Sequence, residues 1–484
     1  MRTFFAAVLL CFALESAHAQ TRAPGNAGDA LLEWPLPAAD QRYGAIDGKH
    51  LHGYIVEQAA ISRHYRDQGH PKFWGRIIGT SADAEDAQWL AAKFKTIGLS
   101  DVHVQPLDLV PQWMPQLWEV SVASGAKTIH LESAQPDYGS DGTPSSGLDL
   151  EAVYVGLGSE ADFAGKDVRG KAVFVFNMMG LKPEGAVKRA DAKGAAAIFE
   201  VDMLPGNMRY QAYPAGTKAP AFTVGSDDGY AARDLIAAAP AHVKVRLDAA
   251  RVPNLKTALV WGTLPGATDE TIYIVAHRDG WFDGASDNGG GVASMIGLAE
   301  YYAKIPQAQR RRTIVFIGLD GHHNTGEGAG VGRNWLAENR AKFFSKTALM
   351  INCEHPATLQ TYVRPRYQEE RDIVWSNTAL AQQWYAGGPS RPELEAIVTK
   401  AFREFGAPLY LDPNARPPAG DLGPFFKFLP GVASSEFYHY FHTDRETPDA
   451  VPWTGLESTT RAYAKIIDEV NKLPLSALQR PMEP

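Results

Sequence analysis

The chain has 484 residues, enough for about two to four domains and a large buried core. Hydrophobic residues make up 45% and charged residues 21%, the balance of a folded globular protein, which excludes disordered, collagen-like and coiled-coil architectures. The formal net charge is −8, from 47 basic and 55 acidic residues, with no Lys/Arg run long enough for a phosphate-binding stripe, so nucleic acid is not an expected partner, and two cysteines exclude a disulfide framework.

At the N-terminus Arg2 precedes an apolar run over 4–14 and the small-x-small pattern Ala17-His18-Ala19. This predicts a signal peptide over 1–19 and an exported protein, periplasmic or secreted. The run is too short to cross a hydrocarbon core of ~30 Å, and no later stretch reaches the ~18 apolar residues of a membrane span. Cys11 falls inside the signal, which leaves Cys353 as the one cysteine of the exported chain. Residues 20–50 carry no sustained period and read as an extended lead-in. Over 82–97 the apolar positions Ala87, Leu90, Ala91, Phe94 and Ile97 follow helical spacing, with Gly98 as the stop, and Val102-His103-Val104 reads as a strand. Between 125 and 255 the texture changes to short β-rich pieces, such as 152–155 and 171–176, parted by Gly-containing turns, as in an inserted module. From about 259 onward apolar strands alternate with amphipathic helices, the pattern of an α/β layer with a mainly parallel sheet.

Three strands of that last region run into residues able to bind a metal. Residues 271–276 end at His277, residues 313–317 lead through Gly318 and Gly321 to His322 and His323, and residues 348–351 lead through Asn352-Cys353 to Glu354. Open α/β sheets gather ligands at the carboxyl ends of their strands. Between the first two lies a glycine-rich turn, Asp283 to Gly291, that can hold Asp287 against the His277 loop. A single His at a strand end is more commonly a hydrogen-bonded structural residue, and a Gly-rich Asp-Asn turn is ordinarily only a turn. The turn lacks the Lys-Ser/Thr of a P-loop and the spacing of a dinucleotide fingerprint. Taken together, His277, Asp287, His323 and Glu354 offer the imidazole and carboxylate set of a borderline cation such as Zn²⁺.

These segments resemble the zinc peptidase superfamily that holds bacterial secreted aminopeptidases, glutamate carboxypeptidase and the transferrin receptor ectodomain. The likeness rests on His277-Arg278-Asp279, Gly284-Ala285-Ser286-Asp287-Asn288, the residue pair ten and eleven positions beyond Arg312, Asn352-Cys353-Glu354, and Phe441-His442-Thr443 followed by Glu446-Thr447-Pro448-Asp449. Gly75-Arg76 resembles the family's opening segment, and residues 170–198 its protease-associated domain. The resemblance implies a three-layer phosphorylase/hydrolase-like fold, helices on both faces of a mixed, mainly parallel sheet. Its catalytic domain is then split over 51–124 and 256–484, with a β-rich protease-associated domain inserted over 125–255. It also implies two zinc ions bridged by Asp287, with His277 and Glu354 on one and His323 and His442 on the other. Asp279 then fixes the His277 tautomer, and a metal-activated water attacks the peptide bond.

The chain departs from the family where Gly-Glu-Glu becomes Gly321-His322-His323 and where Asn-x-Asp becomes Asn352-Cys353-Glu354. The implied ligand set has two carboxylates instead of three, which weakens the second ion or favours an anionic substrate. His322 takes the general-base position, with Glu327 and His355 as other candidates. Asp421 sits in a loop expected near the substrate. The expected function is an aminopeptidase acting on peptide substrates. A repurposed or inactive binding ectodomain on the same scaffold, and carboxypeptidase or glutaminyl-cyclase-like activity, are the alternatives. The sequence sets no oligomeric state.

Overall fold

Apolar runs buried on both faces build the main sheet, as expected where helices cover a largely parallel sheet on either side. The computed structural model describes residues 33–479 apart from 177–184, 203, 205, 324–329, 359, 367–369, 377–382, 386–390, 408–417, 419 and 436–439. The expected signal segment and Glu327 lie outside the described residues. The strands of this sheet are β1 (Ser100–Asp108), β2 (Lys256–Leu264), β3 (Thr271–His277), β4 (Thr313–Leu319), β5 (Thr347–Cys353), β6 (Gln383–Tyr385) and β7 (Gly431–Ser435). Their spatial order is β6-β7-β5-β3-β4-β2-β1. β4, β3, β5 and β7 run parallel to one another, and β1, β2 and β6 are antiparallel to their neighbours.

Side chains alternate across this sheet with the two-residue period of a strand. In β3, Ile272, Ile274 and Ala276 join one core while Tyr273 and Val275 join the other. The helices are α1 (Gly48–Asp67), α2 (Ser81–Ile97), α3 (Gly291–Ala303), α4 (Val331–Glu338), α5 (Pro392–Glu404) and α6 (Trp453–Val470). The first core is covered by α1, α2, α3, α5 and α6, through Ile55, Phe94, Met295, Val398 and Tyr463. The opposite core receives Leu336 of α4 together with Phe344 and Phe425. This is the α/β architecture expected from the alternation of strands and helices, in the three layers that the family resemblance implies. The helix expected over 82–97 is α2, and Gly98 ends it at φ +89°.

The lead-in departs from expectation. Residues Ala38–Ala45 form a 3₁₀ turn and α1 starts at Gly48, capped by Asp47, whose carboxylate accepts from Lys49 N at 2.8 Å. Single large side chains anchor this stretch without any repeating period. Tyr43 is fully buried and donates to Asp468 Oδ2 at 2.6 Å.

A second, eight-stranded sheet occupies the sequence between β1 and β2. Its spatial order is Lys127–His130, Gln112–Ser124, His242–Val252, Leu148–Tyr154, Ala172–Phe176, Ala197–Val201, Ala221–Val224 and Gln135–Pro136. It begins at Gln112, ahead of the expected boundary at 125, because Gln112–Ser124 pairs along its length with His242–Val252. The core of this sheet also takes in Phe73, Trp74, Trp281 and Phe282 from the segments flanking the main sheet. Among the described residues no helix is long and apolar enough to cross a membrane.

Candidate metal centre

The parallel strands set the site. β3 and β4 are in register from Thr271↔Thr313 to His277↔Leu319, so His277 ends β3 level with the end of β4, two turn residues before His322. Glu354 follows β5, and Asp287 lies in the turn that opens α3. His277, Asp279, Asp287, His323, Glu354 and His442 are all at least 96% buried, so each charge among them must be answered by a neighbour.

Asp287 stands at the centre. Its Oδ1 lies 3.1 Å from His277 Nε2 and 2.8 Å from His355 Nε2. Its Oδ2 lies 2.8 Å from His323 Nε2 and 2.9 Å from His442 Nε2. Asp279 answers from behind, with Oδ1 2.8 Å from His277 Nδ1 and Oδ2 2.6 Å from His323 Nδ1. Asp279 meets His277 as the resemblance implies, and the same carboxylate fixes a second imidazole, that of His323. Glu354 Oε2 accepts from Asn352 Nδ2 at 2.6 Å and from Asp421 N at 3.2 Å. A side chain at Gly420 would collide with it, since an added Cβ would fall 1.7 Å from that oxygen.

Burial would push the His277 and His323 imidazoles down, but Asp279 and Asp287 outweigh it and raise both, His323 to about 10. Burial would raise Asp287, yet His323, His355 and His277 hold it well below the ordinary carboxylate range. Burial takes His442 down to about 3 against the pull of Asp287.

The donor chemistry fits a cation. With their Nδ1–H groups directed at Asp279, neutral His277 and His323 turn Nε2 lone pairs toward the Asp287 oxygens, an arrangement that is repulsive unless a proton or a metal ion lies between. His277 Nε2 and Asp287 Oδ1 are both buried without a hydrogen bond. Two ligands of one zinc ion stand roughly 3 Å apart at bond lengths of about 2.0–2.2 Å, matching the separations around Asp287. Among the described residues four sets of three ligand-capable atoms each fall within 4.8 Å: His277 with Glu354 and His355, His277 with Asp279 and His323, His277 with His322 and Asp421, and Asp287 with His323 and His442.

His322 lies at the edge of this cluster. Its ring centroid is 4.4 Å from that of His277 and 5.0 Å from that of His323, and its Nδ1 is 3.4 Å from Asp421 Oδ1. Arg333 Nη1 is 3.2 Å from the same oxygen. Burial would raise the Asp421 carboxyl, but His322 and Arg333 bring it down to about 2.

Other contributors escaped the sequence reading. Glu446 accepts from Asp287 N at 2.6 Å, Ser286 N at 3.1 Å and His442 N at 2.9 Å, tying the Asp287 turn to the His442 loop. Burial and the Asp287 charge push its carboxyl up to about 8. Its place in the Glu446-Thr447-Pro448-Asp449 motif was the available signal. Trp281 and Tyr213 pack on the imidazoles, with ring centroids 4.7 and 4.9 Å from His442. Tyr213 comes from the second sheet's segment, and nothing in the local sequence marks it. Cys353, beside Glu354 in sequence, turns its thiol into the helix-covered core, away from the centre, as strand alternation requires.

Residues 260–467, a span containing every candidate ligand, match peptidase family M28. The chain is 26% identical over 248 residues to Aminopeptidase YwaD of Bacillus subtilis, covering 50% of each chain. It is 23% identical over 295 residues to Probable glutamate carboxypeptidase LAMP1 of Arabidopsis thaliana, covering 55% of this chain and 39% of that one. The chain thus spans half or less of the curated relatives it matches. In structure it is similar to a zinc aminopeptidase from Bacillus subtilis, at TM-score 0.63 and 19% identity over 90% of this chain and 99% of the other. It is also similar to a peptidase M28 precursor from Shewanella amazonensis, at TM-score 0.68 and 18% identity over 92% and 97%.

Proposed function

Residues 260–467 match peptidase family M28, and from that match we propose that the protein is an exported zinc-dependent exopeptidase, an aminopeptidase that removes N-terminal residues from peptides. The observation that carries this reading is Asp287, whose two carboxylate oxygens are each met by two imidazole Nε2 atoms at 2.8–3.1 Å. Two zinc ions, held by His277, Asp287, Glu354, His323 and His442, would polarise the scissile carbonyl and acidify a water toward neutral pH.

The chain's own residues do the rest. Asp279 keeps the Nδ1 proton on His277 and His323, so both present Nε2 to the ions. Glu446 holds the Asp287 backbone, and Trp281 and Tyr213 hold the imidazole planes and keep bulk water off them. His322 is the base: with Nδ1 toward Asp421, its Nε2 takes the proton of the attacking water and returns it to the departing amine nitrogen. Export is supported by residues 1–19, and the place of the second sheet between β1 and β2 supports reading it as a protease-associated domain.

The test is metal analysis together with cleavage of a panel of free and N-acetylated peptides, comparing wild type, His322→Ala and His322→Glu. Chelator-sensitive release of N-terminal residues, reduced about 10²–10⁴-fold in His322→Ala and partly restored in His322→Glu, is the expected result. A protein with no transition metal and no turnover would sink the proposal, and an untouched rate in His322→Ala would remove His322 as the base. The His-His pair also motivates a second reading, a non-catalytic binding ectodomain, which turnover abolished by His323→Ala would dispose of. Carboxypeptidase or cyclising activity would be recognised by release of C-terminal residues or by products closed at an N-terminal glutamine.

A further inference from the structure

Glu354 and His355 are consecutive, and on a continuing strand consecutive side chains point to opposite faces. Here both reach the same centre: ligand-capable atoms of His277, Glu354 and His355 lie within 4.8 Å of one another, and His355 Nε2 is 2.8 Å from Asp287 Oδ1. The chain achieves this by turning at His355, which adopts φ +42°, a conformation uncommon for a residue with a side chain. Asn288, next to Asp287, holds the turn: its Oδ1 accepts from His355 N at 3.2 Å and its Nδ2 donates to Cys353 O at 2.8 Å. A held backbone outlier at a buried polar centre points to function.

We infer that His355 is a metal ligand, and that it makes the two subsites around Asp287 unequal. One subsite has four side chains, His277, Asp287, Glu354 and His355. The other has three, Asp287, His323 and His442. Four protein ligands close a zinc site, whereas three leave a position for water or substrate. Charge acts in the same direction, because the four-ligand subsite adds the Glu354 carboxylate to the shared Asp287, and the other adds only neutral imidazoles. The closed subsite therefore holds its ion more tightly, and the open one, beside Trp281 and Tyr213, is where substrate meets metal. This rests on the metallopeptidase reading above, and adds a ligand and an order of filling to it.

The experiment titrates chelator-treated full-length protein with Co²⁺, reading the cobalt absorption spectrum and the metal retained after desalting from chelators of graded strength. The wild type is expected to fill in two steps at least about 100-fold apart in Kd, the size of effect that ligand-shell changes produce. Azide added after the second step should alter only the second step's band. His355→Gln and His355→Ala should weaken the first step by about 100-fold or more and make its band azide-sensitive, while His442→Ala removes the second step alone. Two ions with equal affinities, both azide-sensitive, and unchanged in His355→Gln, would overturn the inference and leave the metallopeptidase reading intact. A wild type that binds no cobalt would end both. The azide response of the wild type decides the matter even if a His355 variant fails to fold.

Discussion

Asp320 shows how a single buried group near the centre sets a pH limit on the fold. It follows β4, its Oδ1 accepts from Gly332 N at 3.0 Å, and its Oδ2 is buried with no hydrogen bond. Burial, with Asp279 and Asp83 nearby, raises its carboxyl from 3.8 to about 7. A carboxyl whose folded pKa is raised binds its proton more tightly in the folded state. Its contribution is fully present below pH 3.8 and is lost as the pH climbs through 7. Asp320→Asn removes that loss. In chelator-treated protein the variant should gain on the wild type by on the order of 2–4 kcal/mol between pH 4 and pH 8, read by urea unfolding at several pH values; a difference that stays flat across that range would contradict the assignment. Legibility at this scale divides by cause. His277, Asp287, His323 and Glu354 could be read because each ends or follows an apolar strand or glycine turn. The second bond of Asp279, the three amides on Glu446 and the turn at His355 depend on loops far apart in sequence, and no local spacing records them.

At the scale of elements, the turn after β4 carries one of the centre's tight constraints. Gly321 has φ +123°, and a Cβ added there would fall 1.8 Å from Asp279 Oδ1. The glycine therefore lets the β4 turn close over the carboxylate that holds both His277 and His323. Gly321→Ala must displace either the turn or Asp279. The expected outcome is a loss of about 3 kcal/mol or more of stability, and metal affinity weakened by about 10–100-fold as the two Nδ1 bonds loosen. Thermal unfolding and chelator competition check the two effects separately; a variant with wild-type metal affinity would mean that the turn, and not Asp279, had moved. The strands β3, β4 and β5 were legible as continuous apolar runs, since a strand buried on both faces needs no polar side. Gln112–Ser124 alternates equally well on either sheet, so its membership was set by pairing with His242–Val252, a partner more than a hundred residues away. The lead-in helix was hidden for the opposite reason: single anchors such as Tyr43 hold it, with no period to detect.

At the scale of the whole molecule, the two sheets share their aromatic residues. Trp281 belongs to the second sheet's core, and its ring also stands 4.7 Å from His442 and 4.9 Å from His323. Tyr213 stands 5.5 Å from Trp281 and reaches the same imidazoles, 4.9 Å from His442 and 6.3 Å from His323. The backbone closes the seam as well: Gln211 N donates to His442 O at 2.9 Å, Asp444 N donates to Arg209 O at 3.1 Å, and Tyr210 bridges Thr443. The loop that carries His442 is thus as much an edge of the second sheet's segment as of the main sheet. Separate domains joined by a small polar contact melt separately, whereas a seam built from shared core residues couples them. Calorimetry of the metal-loaded protein should therefore show one transition covering both sheets. Metal removal should lower it as a unit, because an ion held at a thousand times its Kd contributes about 4 kcal/mol to the folded state alone. Two resolved transitions, with only one responding to chelator, would show that the second sheet folds independently of the centre and that Trp281 and Tyr213 merely lie against it.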